Sequence, residues 1–375
     1  MEIARPALDP GGVERAAASA LGVGAVELID WRVESVDYPA TTPSTLGLER
    51  VVATVRRDGA DAAETVRMFV KTLGSMRHSP LMTRIPPELH EMALAGYPWH
   101  VEVDVFASTL LGRLPPGLRA PTIYRSEELG DERSRLWMED VAFVPDVWGL
   151  DRYVAAARSL GQMTGRIDAE ASRRTLGSRP DFLRTYLDSR VRFTLPMITG
   201  EELWHHPVVA ANVDPAIRSR LRTLWERTPA LLDRRDGLAR AFGHGDACPQ
   251  NLLADANGGF VAIDWGIAWD HPIGSDLAQL LIGRAESLEI GVDELREILP
   301  VLVPSFADGL RSEGAPADEA SVRDAFLTTV VLRSAFLGLP IELLMGPPPP
   351  GLDLAAMFRA RSATTSFLLD LGDTL

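Results

Sequence analysis

Partway along this 375-residue chain the hydrophobic rhythm changes. Up to Met138 the apolar residues gather in short, β-branched runs separated by turn residues, which predicts strands at 31–38, 49–56, 65–73, 122–127 and 134–138. Asp58-Gly59 marks a tight turn between the second and third runs, so these strands are expected to be antiparallel. Short helices are predicted at 13–21, 88–95 and 101–111. From Trp148 onward the period becomes helical, at 153–167, 180–194, 214–232, 293–302 and 354–369. One stretch breaks that rule. Residues 241–265 carry an apolar segment on each side of Asp255-Ala256-Asn257-Gly258-Gly259, which predicts a hairpin inside a helical region. The expected fold is therefore α+β and bilobal, with a sheet lobe over 1–140, a larger helical lobe over 141–375, and residues 139–145 joining them.

Composition narrows the function classes. The formal net charge is −14, a field that repels a nucleic-acid backbone but suits a cationic small molecule or plain solubility. Cys248 is the only cysteine, which excludes an intrachain disulfide or a thiolate metal cluster and fits a reducing cytoplasm. The first residues lack a basic segment followed by an apolar one, so no secretory signal is expected. Residues 326–345 are the most apolar stretch, but Arg333, Pro340 and Glu342 interrupt it; a buried helix and a turn are expected there, with no membrane span. His205-His206 has no partner at metal-ligand spacing.

The chemistry concentrates between His244 and Asp276. His244-Gly245-Asp246 is followed by Asn251, five residues after the aspartate. Asp264 lies in Ile263-Asp264-Trp265, and Asp276-Leu277-Ala278 opens another predicted helix. Phosphoryl transfer needs these residue types together. One carboxylate orients and deprotonates the attacking hydroxyl, while a carboxylate and an amide oxygen hold the divalent cation that neutralises the triphosphate. Asp246 suits the first role, and Asn251 and Asp264 the second.

These motifs resemble those of the aminoglycoside phosphotransferase and choline kinase-like superfamily, which has a protein-kinase-like fold. The resemblance implies that Asp246 is the catalytic base, that Asn251 and Asp264 bind Mg²⁺, and that His244 and Asp276 brace the catalytic loop. It also implies a lysine on the third strand and a partner glutamate on the next helix. Lys71, the only lysine in the chain, sits on that predicted strand. Glu102 is its expected partner, with Glu91 and Asp104 as alternatives. Residues 40–47 occupy the place of a glycine-rich phosphate loop but do not carry its G-x-G-x-x-G pattern; Thr41, Thr42, Ser44 and Thr45 offer hydroxyls instead. Backbone groups of Glu139 and Val141 would pair with the purine.

The implied activity is transfer of the γ-phosphate of ATP or GTP to a small-molecule hydroxyl, with an antibiotic such as an aminoglycoside as the expected acceptor. A sugar, nucleoside or amino-alcohol kinase and an inactive nucleotide-binding module are the alternatives. The expected cytoplasmic protein is a monomer or weak homodimer. Asp270, His271, Glu286, Glu289 and Asp293 are available to line an acceptor pocket.

Overall fold

The computed structural model of the protein describes residues 7–36, 43–96, 98–142, 148–255, 257–346, 349 and 351–375. They form two compact units. The first comprises Met1–Leu111, Arg119–Val144 and Val261–Gly266, the second Gly112–Leu118, Pro145–Phe260 and Ile267–Leu375. The sequence places one boundary near residue 140; the short stretch carrying Asp264 falls in the first unit, against strands distant in sequence.

The first unit opens on helix α1 (Pro10–Ala20), where Asp9 caps the start by accepting from the Gly12 N–H at 2.9 Å. That cap, with Pro10 preset for the first turn, draws Pro10-Gly11-Gly12 into the helix that was expected to follow them. Strands β1 (Val26–Ser35), β2 (Thr45–Arg57) and β3 (Ala63–Gly74) form an antiparallel meander. Three short 3₁₀ segments, Met76–His78, Pro80–Arg84 and Pro87–Leu89, then lead into α2 (His90–Gly96). Helix α3 (Val101–Ala107) ends four residues before its expected limit, because the Ser108 hydroxyl donates to the Val105 carbonyl at 2.6 Å. After β4 (Leu118–Arg119), strands β5 (Ile123–Glu128) and β6 (Arg133–Glu139) complete a sheet of order β1-β2-β3-β6-β5.

Alternation along β3 decides what faces what. Val66, Met68 and Val70 point to one face and pack with Val51, Val55 and Trp137 against Val13, Ala16 and Ala17 of α1. Each buried valine or methionine among them contributes about 1.5–3 kcal/mol, each alanine methyl less. Phe69 and Leu73 point the other way and pack with Val103 and Phe106 of α3. Lys71 lies between them in register, opposite Leu48 on β2 and Leu136 on β6.

The second unit is helical apart from short strands. Its first helices are α4 (Leu150–Arg166), α5 (Ala169–Leu176) and α6 (Phe182–Tyr186). A π turn over Leu187–Val191 separates α6 from α7 (Arg192–Thr199), so the single helix expected at 180–194 is two helices with a wide turn between them. Next come α8 (Glu201–His205), α9 (Pro207–Asn212) and α10 (Ala216–Asp236). His206 Nδ1 accepts from the Val208 N–H at 3.3 Å, so this histidine caps α9. Strands β7 (Arg240–Gly243), β8 (Leu252–Ala254), β9 (Phe260–Ala262) and β10 (Trp269–Pro272) supply the excursion, and the Asp255 N–H donating to Gly259 O at 3.0 Å closes the hairpin turn. Helices α11 (Leu277–Glu286), α12 (Val292–Ser312), α13 (Glu319–Ser334) and α14 (Leu354–Gly372) finish the chain.

Helices α4 and α12 cross closely because Gly161 and Gly309 are bare. A Cβ on Gly161 would collide with the Phe306 carbonyl, and one on Gly309 with the Arg158 carbonyl. No described helix is long and apolar enough to cross a membrane.

Candidate active site

The first unit builds a charged triad. Lys71 Nζ lies 2.6 Å from Glu102 Oε2 and 2.9 Å from Asp264 Oδ1. Strand alternation points the lysine at α3, whose buried first turn supplies Glu102. Burial works against the Lys71 ammonium, but the charges of Asp264 and Glu102 outweigh it and raise its pKa. Burial likewise raises the Glu102 carboxyl, opposed by the charge of Lys71 and a hydrogen bond from the Trp265 backbone. Asp264 adopts φ +61°, a left-handed conformation that costs a branched-free residue about 1 kcal/mol or more. Trp265, fully buried with its indole N–H donating to Ala262 O at 2.8 Å, anchors that strained step.

Of the other residues expected near the nucleotide, Glu139 ends β6. Its carboxylate takes both guanidinium nitrogens of Arg119 at 2.7 and 2.8 Å and the Thr122 N–H at 3.1 Å. The Arg119 hydrogen bonds hold its pKa below the usual carboxylate value. Asp140 pairs with Arg50 and Arg67 at 3.0 and 3.2 Å. Val141 follows, half-buried. Ser44 O accepts from the Gly74 N–H at 2.9 Å, and Thr45 begins β2. Thr41 and Thr42 lie outside the described residues, as does the connector from 143 to 147. The alternatives to Glu102 are engaged differently: Asp104 bonds His100 at 2.7 Å, and Glu91 lies in α2.

The second unit holds the His-Gly-Asp loop by its backbone. Asp276, buried at the start of α11, accepts from the His244 N–H through Oδ2 at 3.0 Å and from the Gly245 N–H through Oδ1 at 2.7 Å. His244 is fully buried, and its Nδ1 accepts from the Asp246 N–H at 3.2 Å. Gly245 has φ +78°, and a Cβ there would strike the Ile267 carbonyl. Only glycine fits both conditions. Asn251 Nδ2 donates to Asp246 O at 2.9 Å and approaches Asp246 Oδ2 at 3.3 Å, spending the amide N–H groups on the loop.

Arg333 was not singled out from the sequence as a site residue. From the last turn of α13 it donates through one nitrogen to Gly245 O at 2.6 Å and through another to Asp246 Oδ1 at 2.7 Å. The signal was legible: Arg333 is the single charged residue of 325–334, the apolar, buried part of α13, and such a charge needs a partner.

The acidic residues offered for an acceptor pocket are mostly compensated. Asp270 is buried between Arg173 at 3.2 Å and Arg240 at 3.1 Å. Glu289 pairs with Arg284, and Asp293 with Arg296, each at 2.9 Å. His271 is buried, its ring hydrogen-bonded to Ile267 O at 2.9 Å, and burial lowers its pKa. Glu286 accepts from the Ser334 hydroxyl at 2.7 Å, and burial raises its pKa.

A lysine on the central strand of an antiparallel sheet paired with a helix glutamate, and a buttressed His-Gly-Asp loop in a helical unit, define a kinase-like phosphotransferase. The sequence profile of the phosphotransferase enzyme family matches residues 45–301, more than half of the chain, and the chain belongs to that family, whose members are small-molecule kinases. Among solved structures, an aminoglycoside phosphotransferase from Alicyclobacillus acidocaldarius is similar at 16% identity and TM-score 0.52, covering 87% of this chain and 90% of its own. The amicoumacin kinase hAmiN, solved with AMP-PNP, Ca²⁺ and amicoumacin, is similar at 14% identity and TM-score 0.50, covering 97% and 94%. These likenesses support the α+β kinase-like fold. No curated protein sequence matches the chain significantly.

Proposed function

We propose that the protein transfers the γ-phosphate of ATP or GTP to a hydroxyl of a small molecule, with Asp246 as the base. The observation that carries this reading is the fixed carboxylate of Asp246, held by Arg333 at Oδ1 with Asn251 beside Oδ2. The acceptor oxygen forms a bond to the γ-phosphorus. The bond from that phosphorus to the β–γ bridging oxygen breaks, and the nucleoside diphosphate leaves with its electron pair. The hydroxyl proton passes to Asp246.

Lys71, oriented by Glu102, is assigned to the α- and β-phosphates. Backbone groups of Glu139 and Val141 are assigned to the purine, and Ser44 and Thr45 to the phosphate side. Two features suit Asn251 and Asp264 to a divalent cation. Asn251 uses its nitrogen on Asp246 and so has its amide oxygen to offer, and the Asp264 side chain is 45% exposed. A bound Mg²⁺ would supply charge neutralisation at the phosphates. The relative solved with AMP-PNP and Ca²⁺ is consistent with that pairing. His244 and Asp276 are assigned to bracing the loop. An antibiotic is the first acceptor class to test, with aminoglycosides, neutral sugars and nucleosides in one panel.

The test is phosphoryl addition to each acceptor, followed by mass spectrometry, in wild type and Asp246→Asn. The variant should lose about 10²–10⁴-fold in kcat while Mg-nucleotide affinity stays near wild type. Wild-type turnover by Asp246→Asn would remove the base assignment.

A further inference from the structure

Strand β1 stands at an edge of the five-stranded sheet and pairs with β2 only. The Val36 N–H donates to Leu48 O on β2, so by alternation the N–H and C=O groups of Ser35, Val33 and Trp31 point away from β2. Among the described residues no loop or side chain accepts from those three N–H groups. A bulge between Leu28 and Asp30 ends the regular run, and before it the Leu28 N–H is taken by the Glu14 carboxylate of α1 at 3.3 Å. The open edge is therefore the five-residue stretch 31–35.

We infer that this edge is the interface of a homodimer, in which β1 pairs antiparallel with β1 of a second copy about a two-fold axis at Val33. The inference needs no acceptor and is independent of the phosphotransfer reading. Symmetry and charge carry it. A closed two-fold contact between identical strands is antiparallel. Charged side chains on an edge strand ordinarily prevent pairing. Those of β1 prevent the wrong registers. Centred on Arg32, the pairing sets Arg32 against itself and Asp30 against Glu34. Centred on Glu34, it sets that carboxylate against itself. Centred on Trp31, it runs into the bulge beside Glu14. A register centred between two residues sets an outward backbone group against an inward one. Centred on Val33, the pairing sets Arg32 of each copy against Glu34 of the other, Trp31 against Ser35 and Asp30 against Val36. The outward groups of 31, 33 and 35 then meet in register. Arg32 and Glu34 are 64% and 43% exposed, and the Val33 side chain at the axis is 40% exposed. Five residues a side make a small contact, so the dimer is weak and forms with concentration.

The experiment uses the full chain in sedimentation velocity over about a 100-fold range of concentration. Wild type should pass from monomer to dimer. Arg32→Glu and Glu34→Arg should each weaken the dimer by roughly 10-fold or more, because each sets like charges across the axis. The two changes together should restore it. The single changes move the net charge in opposite directions, so a general charge effect would weaken one dimer and strengthen the other. That outcome overturns the inference, as does a monomer at every concentration or a dimer indifferent to both changes. Val33→Cys, in a Cys248→Ser background, should form an intermolecular disulfide on mild oxidation, because Cα atoms of such a pair lie about 5.5 Å apart. Ile29→Cys should not. A double exchange that fails to restore the dimer, no cross-link at 33, or equal cross-linking at 29 overturns the register.

Discussion

The two units hold their functional carboxylates with different shares of side chain and backbone. In the first, Glu102 and Asp264 are fixed by one cation, Lys71, on the central strand. In the second, Arg333 pairs with Asp246, but the loop that carries it is also held through its backbone N–H groups, claimed by the buried Asp276 and the His244 ring. A charge network made only of side chains depends on every member, because removing one leaves the others buried and uncompensated. A loop held through its backbone spreads the load, and its sequence is constrained by geometry more than by charge. The first arrangement suits a cation that must meet phosphates. The second suits a carboxylate that must not move.

The largest expected effect tests the first half of that contrast. Lys71→Met should destabilise the first unit by about 3–5 kcal/mol, read as a lower urea midpoint, because Glu102 is left buried without its partner. Adding Glu102→Gln should recover part of that loss. No recovery would mean that the lysine acts through packing rather than charge.

A smaller effect is expected where the backbone is the partner. Asp276→Asn keeps one acceptor oxygen and turns an N–H donor toward a backbone N–H, which should cost about 1–3 kcal/mol. Because the loop carries Asp246, kcat should fall while nucleotide affinity holds. A variant with unchanged kcat would show that the loop keeps its shape without this brace.

The smallest effect is a pH dependence confined to the second unit. Burial holds the His271 pKa below its unfolded value of about 6.5, with Asp276, Asp181 and Arg235 as charged neighbours. The unfolded chain therefore binds the proton more readily. Stability is full above pH ~6.5 and declines as the pH falls below it. Chemical denaturation between pH 7.5 and 5.5 should show this slope, and His271→Gln should flatten it. An unchanged slope would assign the acid sensitivity elsewhere.

How much of this was readable in advance varies from residue to residue. The β3 pattern announced both the strand and the face of Lys71, since alternation alone separates 69, 71 and 73 from 66, 68 and 70. The limits of α1 and α3 were less legible, because single hydrogen bonds from Asp9 and Ser108 set them. The π turn in 187–191 was invisible, since one wide turn barely disturbs a helical period. Gly161 and Gly309 looked like weak points in helices, and only their mutual crossing gives them a purpose.

The sequence by itself determined the α+β order of elements and the motif residues His244, Asp246, Asn251, Asp264 and Asp276, because local period and fixed spacing are properties of the chain. The tertiary structure decided that Glu102, rather than Glu91 or Asp104, meets Lys71. It also decided that Arg333, 87 residues beyond Asp246, closes on the base. Glu102 was the expected partner among three, and nothing in the sequence singled out Asp246 as the partner of Arg333. Each pairing follows from which faces of distant elements are driven together by burial, and a charge so enclosed must find whatever opposite charge the packing brings within reach.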